Sequence, residues 1–125
     1  QRQMCIRDRI YLDAYNANPT SMLAAISNFE NTNINNRVLI LGDMFELGEY
    51  SDQEHQKIVD FVTNKDYSEV YLVGDNFSKC NTDGEYFFKF LNTNELAQSD
   101  SFKNLKNMNI LVKGSRGVKL ETLFK

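Results

Sequence analysis

Five short apolar runs divide the chain, and amphipathic stretches separate them. The runs are IYLDA (10–14), RVLILG (37–42), EVYLVG (69–74), EYFFKFL (85–91) and NILVKG (109–114), all of strand length. The intervening stretches change period. After Asn18, an N-cap residue, Pro19 takes the first helical position, where its missing N–H costs nothing. Met22, Leu23, Ala25, Ile26 and Phe29 then share one helical face. Ser51-Asp52-Gln53-Glu54 predicts a capping box, with Ser51 as cap, opening a helix that buries His55, Ile58, Val59 and Val62. A third helix is expected from Thr93 or Asn94 through Leu105, and a short last one over 118–124.

Strand and helix therefore alternate, which implies crossovers between parallel strands. The central runs are nearly continuous in apolar residues, as when both sheet faces are covered. The pattern predicts an α/β domain: a Rossmann-like, mostly parallel sheet of about five to six strands with helices on both faces. No internal repeat or low-complexity tract breaks it, and NTNINN (31–36) reads as a surface connection.

Composition narrows the class. A length of 125 residues suits one compact domain, with 42% apolar residues for a core and 25% charged residues. The net charge of −3 offers no basic face for nucleic acid. Apolar runs of about five residues are far below the roughly 20 that span a bilayer. Cys5 and Cys80 form no CxxC pair and cannot build a zinc set with the single histidine, so free thiols in a reducing cytoplasm are expected, and no metal. The opening QRQMCIRDR, with three arginines in nine residues and no apolar period, is expected to be a linker remnant or non-native segment (1–9), leaving 10–125 as the domain.

The glycines carry the first functional signal. Gly42, Gly74 and Gly114 each close a strand, and Gly48 and Gly117 lie in loops that follow strands, whereas the returning loops NTNINN, NKDYS and KNM have none. Ligands of open α/β sheets bind beyond the carboxyl ends of the strands. The loops on that border, DAYNANP, LGDMFELGEY, VGDNF and KGSRG, bring Asp13, Asn16, Asn18, Asp43, Glu46, Asp75, Asn76, Lys113, Ser115 and Arg116 to one side. A ligand-binding rim is expected there; the alternative is a set of turn residues satisfying backbone groups.

Each residue has two readings. Asp13 suits a ribose hydroxyl or the capping of free N–H groups. Asn16 is free to face a ligand, Asn18 is claimed by the helix start, and Tyr15 can stack on a purine or pack. His55, in the first turn of its helix on an apolar face, reads as a satisfied core histidine with a substrate role still open. Lys113 and Arg116 around Gly114-Ser115 suit a carboxylate or phosphate, or a solvated basic turn. No GxxxxGK[ST] occurs, so there is no P-loop, and no GxGxxG follows the first strand, which disfavours an ordinary NAD-dependent Rossmann enzyme.

DAYNANPTSMLAAI (13–26), LILGDMFELGEYSDQEH (39–55), VYLVGDNF (70–77) and LVKGSRGVKLETL (111–123) together resemble the carboxy-terminal domain of the Mur ligases, in the family's order and over about residues 10–124. YNANP and LGDM.ELG…EH point to the member that adds D-Ala-D-Ala to a UDP-N-acetylmuramoyl-tripeptide. The resemblance implies a cytoplasmic step of peptidoglycan synthesis. ATP activates the precursor carboxylate as an acyl phosphate, Mg2+ neutralises the phosphate charge, and the dipeptide amine attacks. It assigns Asp13, Tyr15, Asn16 and Asn18 to the nucleotide side. Asp43, Met44, Glu46, Leu47, His55, Lys113, Ser115 and Arg116 go to the substrate side, with no catalytic group of its own. The family's glycine-arginine tract before the first strand is not matched by QRQMCIRDR. With no P-loop, the chain is expected to be an inactive fragment, likewise expected to be monomeric and to work with amino-terminal and central domains. Two alternatives stay open: the same domain of a folylpolyglutamate-type amide ligase, which YNANP disfavours, and a free-standing α/β binding module.

Overall fold

The computed structural model describes residues 8–13 and 16–124. Five strands form one sheet: β1 Arg9–Asp13, β2 Arg37–Gly42, β3 Glu69–Val73, β4 Phe87–Phe90 and β5 Asn109–Lys113, in the order β1-β5-β2-β3-β4. All four pairings are parallel. The expected α/β architecture with helices on both faces is therefore present, with five strands.

Alternation along each strand explains the two faces. Leu39, Leu41, Val70, Leu72 and Leu111 point to one side, where they meet α1 (Pro19–Asn31) and α2 (Ser51–Val62) through Met22, Ile26, Phe29, Ile58, Val59 and Val62. Val38, Ile40, Tyr71, Val73, Ile110 and Val112 point to the other. There they meet Leu96 of α4 (Thr93–Gln98), Phe102 of α5 (Asp100–Lys103), and Leu120 and Leu123 of a 3-10 turn at Leu120–Phe124. Truncating one of these buried Leu, Ile, Met or Phe side chains to Ala removes about 2–5 kcal/mol.

Local chemistry sets the helix ends. Asn18 caps α1: its side chain accepts from the Ser21 N–H at 2.8 Å, and Ser21 Oγ accepts from the Asn18 N–H at 3.0 Å. The box predicted at Ser51–Glu54 does not form. A 3-10 turn at Gly48–Tyr50 runs directly into α2, so Ser51 already has helical backbone angles and its hydroxyl lies 3.4 Å from His55 Nδ1. The third predicted helix is broken in two at Ser99, whose extended backbone ends α4 while its hydroxyl caps α5 by accepting from the Phe102 N–H. Asn92, not Thr93 or Asn94, caps α4, accepting from the Glu95 N–H at 2.9 Å. A four-residue helix, α3 (Asp75–Ser78), was not anticipated, and the last helix is 3-10 rather than α. β1 begins at Arg9, one residue earlier than its apolar pattern, with Arg9 N–H donating to the Met108 carbonyl and Asp8 accepting from the Met108 N–H.

This topology creates a crevice. The chain leaves β1 and β2 toward the α1/α2 face, but leaves β5, which sits between them, toward the opposite face. Neighbouring strand ends whose chains diverge in this way mark the usual ligand position of open α/β sheets.

Candidate functional site

Three loops meet at that crevice. The loop after β2 is bonded to the loop after β5: the Ser115 N–H donates to the Asp43 carbonyl, and Ser115 Oγ accepts from the Phe45 N–H, both at 3.0 Å. Strand ends approach closely here. A Cβ on Gly114 would lie 2.8 Å from Gly42 Cα, so only glycine fits. The loop after β1 is joined by Lys113, whose Nζ donates to Asp13 Oδ2 at 2.6 Å and to the Asn16 carbonyl at 3.1 Å. Residues 13, 16, 43–45 and 113–115 thus share one border of the sheet.

The polar residues of this border divide into two kinds. Asp43 is buried, and its carboxylate accepts from the N–H groups of Asn76 and Phe77, each at 2.9 Å. It thereby caps α3 from 33 residues away. A Cβ on Gly74 would fall 2.3 Å from the Asp43 carboxyl carbon, and Gly74 has φ +123, so glycine is required twice over. His55 has no exposed surface. Its Nδ1 donates to the Ser51 carbonyl at 2.7 Å, which leaves Nε2 to accept from the Met44 N–H at 3.0 Å, and the ring packs edge-on against Phe77. His55, Met44, Asp43 and Ser115 therefore hold the loop in place from inside. Lys113 is also buried, and Asn18 spends its side chain on the α1 cap.

Asp13, Asn16, Glu46 and Arg116 are exposed, and Leu47 is half-buried. Glu46 sits at φ 66, a left-handed conformation that turns the loop outward. Tyr15 lies outside the described residues. Beside Asp43 a cleft of about 200 Å³ opens between Phe45, Asp75, Leu91, Asn92 and Val118. Sequence reasoning passed over Phe45 and Leu91. Their signal is apolar bulk just beyond a strand end, and both are exposed, at 47% and 55%.

Burial pushes the Cys80 thiol up to about 11, with Lys89 opposing. Burial, then the hydrogen bond to Glu30, raises Tyr67 at the opposite border.

Residues 2–116 match the family described as Mur ligase, glutamate ligase domain. The chain belongs to the Mur ligase family. Among curated members it is similar to the UDP-N-acetylmuramoyl-tripeptide–D-alanyl-D-alanine ligase of Rickettsia prowazekii (strain Madrid E), 37% identical over 123 residues, covering 92% of this chain and 26% of that protein. The enzyme of the same name from Treponema pallidum (strain Nichols) is 31% identical over 126 residues, covering 96% and 28%. A crystal structure of MurF from Acinetobacter baumannii superposes with a TM-score of 0.73 at 31% identity, over 89% of this chain and 25% of that one. MurF ligase from Thermotoga maritima, crystallised with ADP, shares the fold at a TM-score of 0.77 and 20% identity, over 97% and 28%. The Mur ligase chain described here spans about a quarter of the length of these relatives.

Proposed function

We propose that this chain is the carboxy-terminal domain of the ATP-dependent ligase that joins D-Ala-D-Ala to the UDP-N-acetylmuramoyl-tripeptide precursor of peptidoglycan. The observation that carries this reading is similarity over nearly the whole domain, 37% identity across 92% of the chain, to a ligase named for that substrate pair. The carboxyl border adds physical support. It offers outward-facing carboxylate, amide and guanidinium groups on a rigid scaffold, which suits orientation of substrates that other domains also hold.

On this reading ATP supplies the energy for amide formation, and this domain contributes positioning. Asp13 and Asn16 present acceptors and an amide suited to ribose hydroxyls and a purine edge. Arg116 is suited to the dipeptide carboxylate, and Glu46 and Leu47 border the space between. Asp43, Met44, His55 and Ser115 act through the loops they hold. Mg2+ is assigned, on this reading, to the nucleotide phosphates and the central domain of the full-length ligase. No helix among the described residues is long and apolar enough to cross a membrane. A UDP-linked precursor and ATP suit a cytoplasmic reaction, and the ligase is proposed to act as a monomer.

The test is direct. The full-length protein, given ATP, Mg2+, the UDP-linked tripeptide and D-Ala-D-Ala, should yield the UDP-linked pentapeptide by mass spectrometry, with one ADP per product. The 125-residue chain alone should hydrolyse no ATP. Product with single amino acids but not with the dipeptide would overturn the assignment in favour of another amide ligase of the superfamily.

A further inference from the structure

Lys113 sits in the KGSR stretch next to Arg116, so its position in the chain assigns it to the same ligand. The geometry points to a different role: Lys113 is a positioning residue for the nucleotide-side loop, acting through Asp13 and Asn16. This inference rests on the nucleotide reading of residues 13–18 given above.

Three observations carry it. First, Lys113 is 2% exposed, so its ammonium cannot meet a ligand at the surface. A buried ammonium persists only when paired and hydrogen-bonded. Second, its partners lie on one loop: Asp13 Oδ2 at 2.6 Å and the Asn16 carbonyl at 3.1 Å. Third, parallel register forces the meeting. Asp13 is the Cα partner of Lys113 at the last position of the β1/β5 pair, and Leu41 is its partner on the other side. The lysine is therefore fixed by strands on both flanks, while Asp13 belongs to an edge strand with a neighbour on one flank only.

The consequence is asymmetric. The Asp13 side chain is 55% exposed, and one oxygen is held by Lys113. That bond fixes the carboxylate rotamer and leaves the other oxygen for a donor such as a ribose hydroxyl. The second bond, to the main-chain carbonyl of Asn16, holds that residue beside Asp13. Without Lys113 the loop keeps its residues and loses its orientation, and a misplacement of about 1 Å in a positioned group can cost about a hundred-fold.

Steady-state kinetics of full-length Lys113→Met, with each substrate varied in turn, tests this. The KM for ATP should rise about tenfold or more, while the KM for D-Ala-D-Ala stays within about twofold. Lys113→Arg, which keeps the charge and donors, should recover part of the ATP effect. A rise confined to the dipeptide KM, or a fall in Tm with both KM values unchanged, overturns the inference. If Lys113→Met does not fold, the unmodified protein decides. In lysine-15N spectra the Lys113 Nζ signal should shift on adding a non-hydrolysable ATP analogue and stay put with D-Ala-D-Ala. A response to the dipeptide alone, or to neither, overturns it. A wild-type protein that makes no pentapeptide product sinks the ligase reading instead, and the Nζ response to nucleotide still decides the role of Lys113.

Discussion

The two ends of the sheet both carry polar clusters and are differently built. At the amino end Arg37, Glu30, Lys65 and Tyr67 close on one another. The Tyr67 hydroxyl donates to Glu30, Lys65 pairs with Glu30 at 3.3 Å, and Arg37 donates to the Glu30 and Asp66 carbonyls while lying over the Tyr67 ring. At the carboxyl end an inner layer of Asp43, His55, Ser115 and Lys113 is consumed in the same way, but it supports an outer layer that faces solvent. Polar residues alone do not distinguish a site from a clamp. The outward layer, held from behind by buried hydrogen bonds, is the feature on which the proposed site rests.

The contrast is breakable by substitution. The largest effect is expected at Gly74→Ala, where the new Cβ strikes the Asp43 carboxylate and the backbone is strained. Denaturant unfolding should show a loss of about 3 kcal/mol or more, with α3 displaced. Next comes Asp43→Ala, which strands the Asn76 and Phe77 N–H groups. It should cost about 2–3 kcal/mol and weaken ligase turnover. His55→Leu removes the acceptor for Met44 N–H and should cost about 2 kcal/mol, together with a changed KM, because the 43–47 loop moves. A stable, kinetically normal His55→Leu would detach the inner layer from function.

At the other end, Glu30→Gln should cost about 1 kcal/mol and leave every kinetic constant unchanged. Altered turnover there would erase the distinction between the two ends. The smallest effect is a pH dependence. The folded-state pKa of Cys80 is raised, so above its ordinary value of 9.0 the unfolded chain loses its proton first, and stability falls with pH until about 11. A Cys80→Ala variant should lack that part of the alkaline decline.

The strands were legible because both faces are covered, so RVLILG, EVYLVG and NILVKG are unbroken apolar runs with few other readings. The α1 start was legible because Asn18, Pro19 and Ser21 interact within four residues. What escaped the sequence depends on distant partners. The cap of α3 comes from Asp43, 33 residues before Asn76, and no local pattern announces a four-residue helix. The Ser51 box failed because the preceding 3-10 turn had already supplied helical backbone, freeing the hydroxyl to face His55. At the proposed site, the converging loops followed from strand–helix alternation and glycine placement. The division into inner and outer layers did not, since it turns on register: Lys113 stands opposite Asp13 across 100 residues.

The most direct test of the outer layer is the ATP dependence of pentapeptide formation by full-length Asp13→Asn, a change that keeps an oxygen for Lys113 and removes the charge. A protein that stays folded with a lowered Tm, because the buried Lys113 ammonium loses its counter-charge, and that turns over about tenfold slower at limiting ATP but not at limiting D-Ala-D-Ala, is the predicted result. Wild-type rates at limiting ATP would contradict the account.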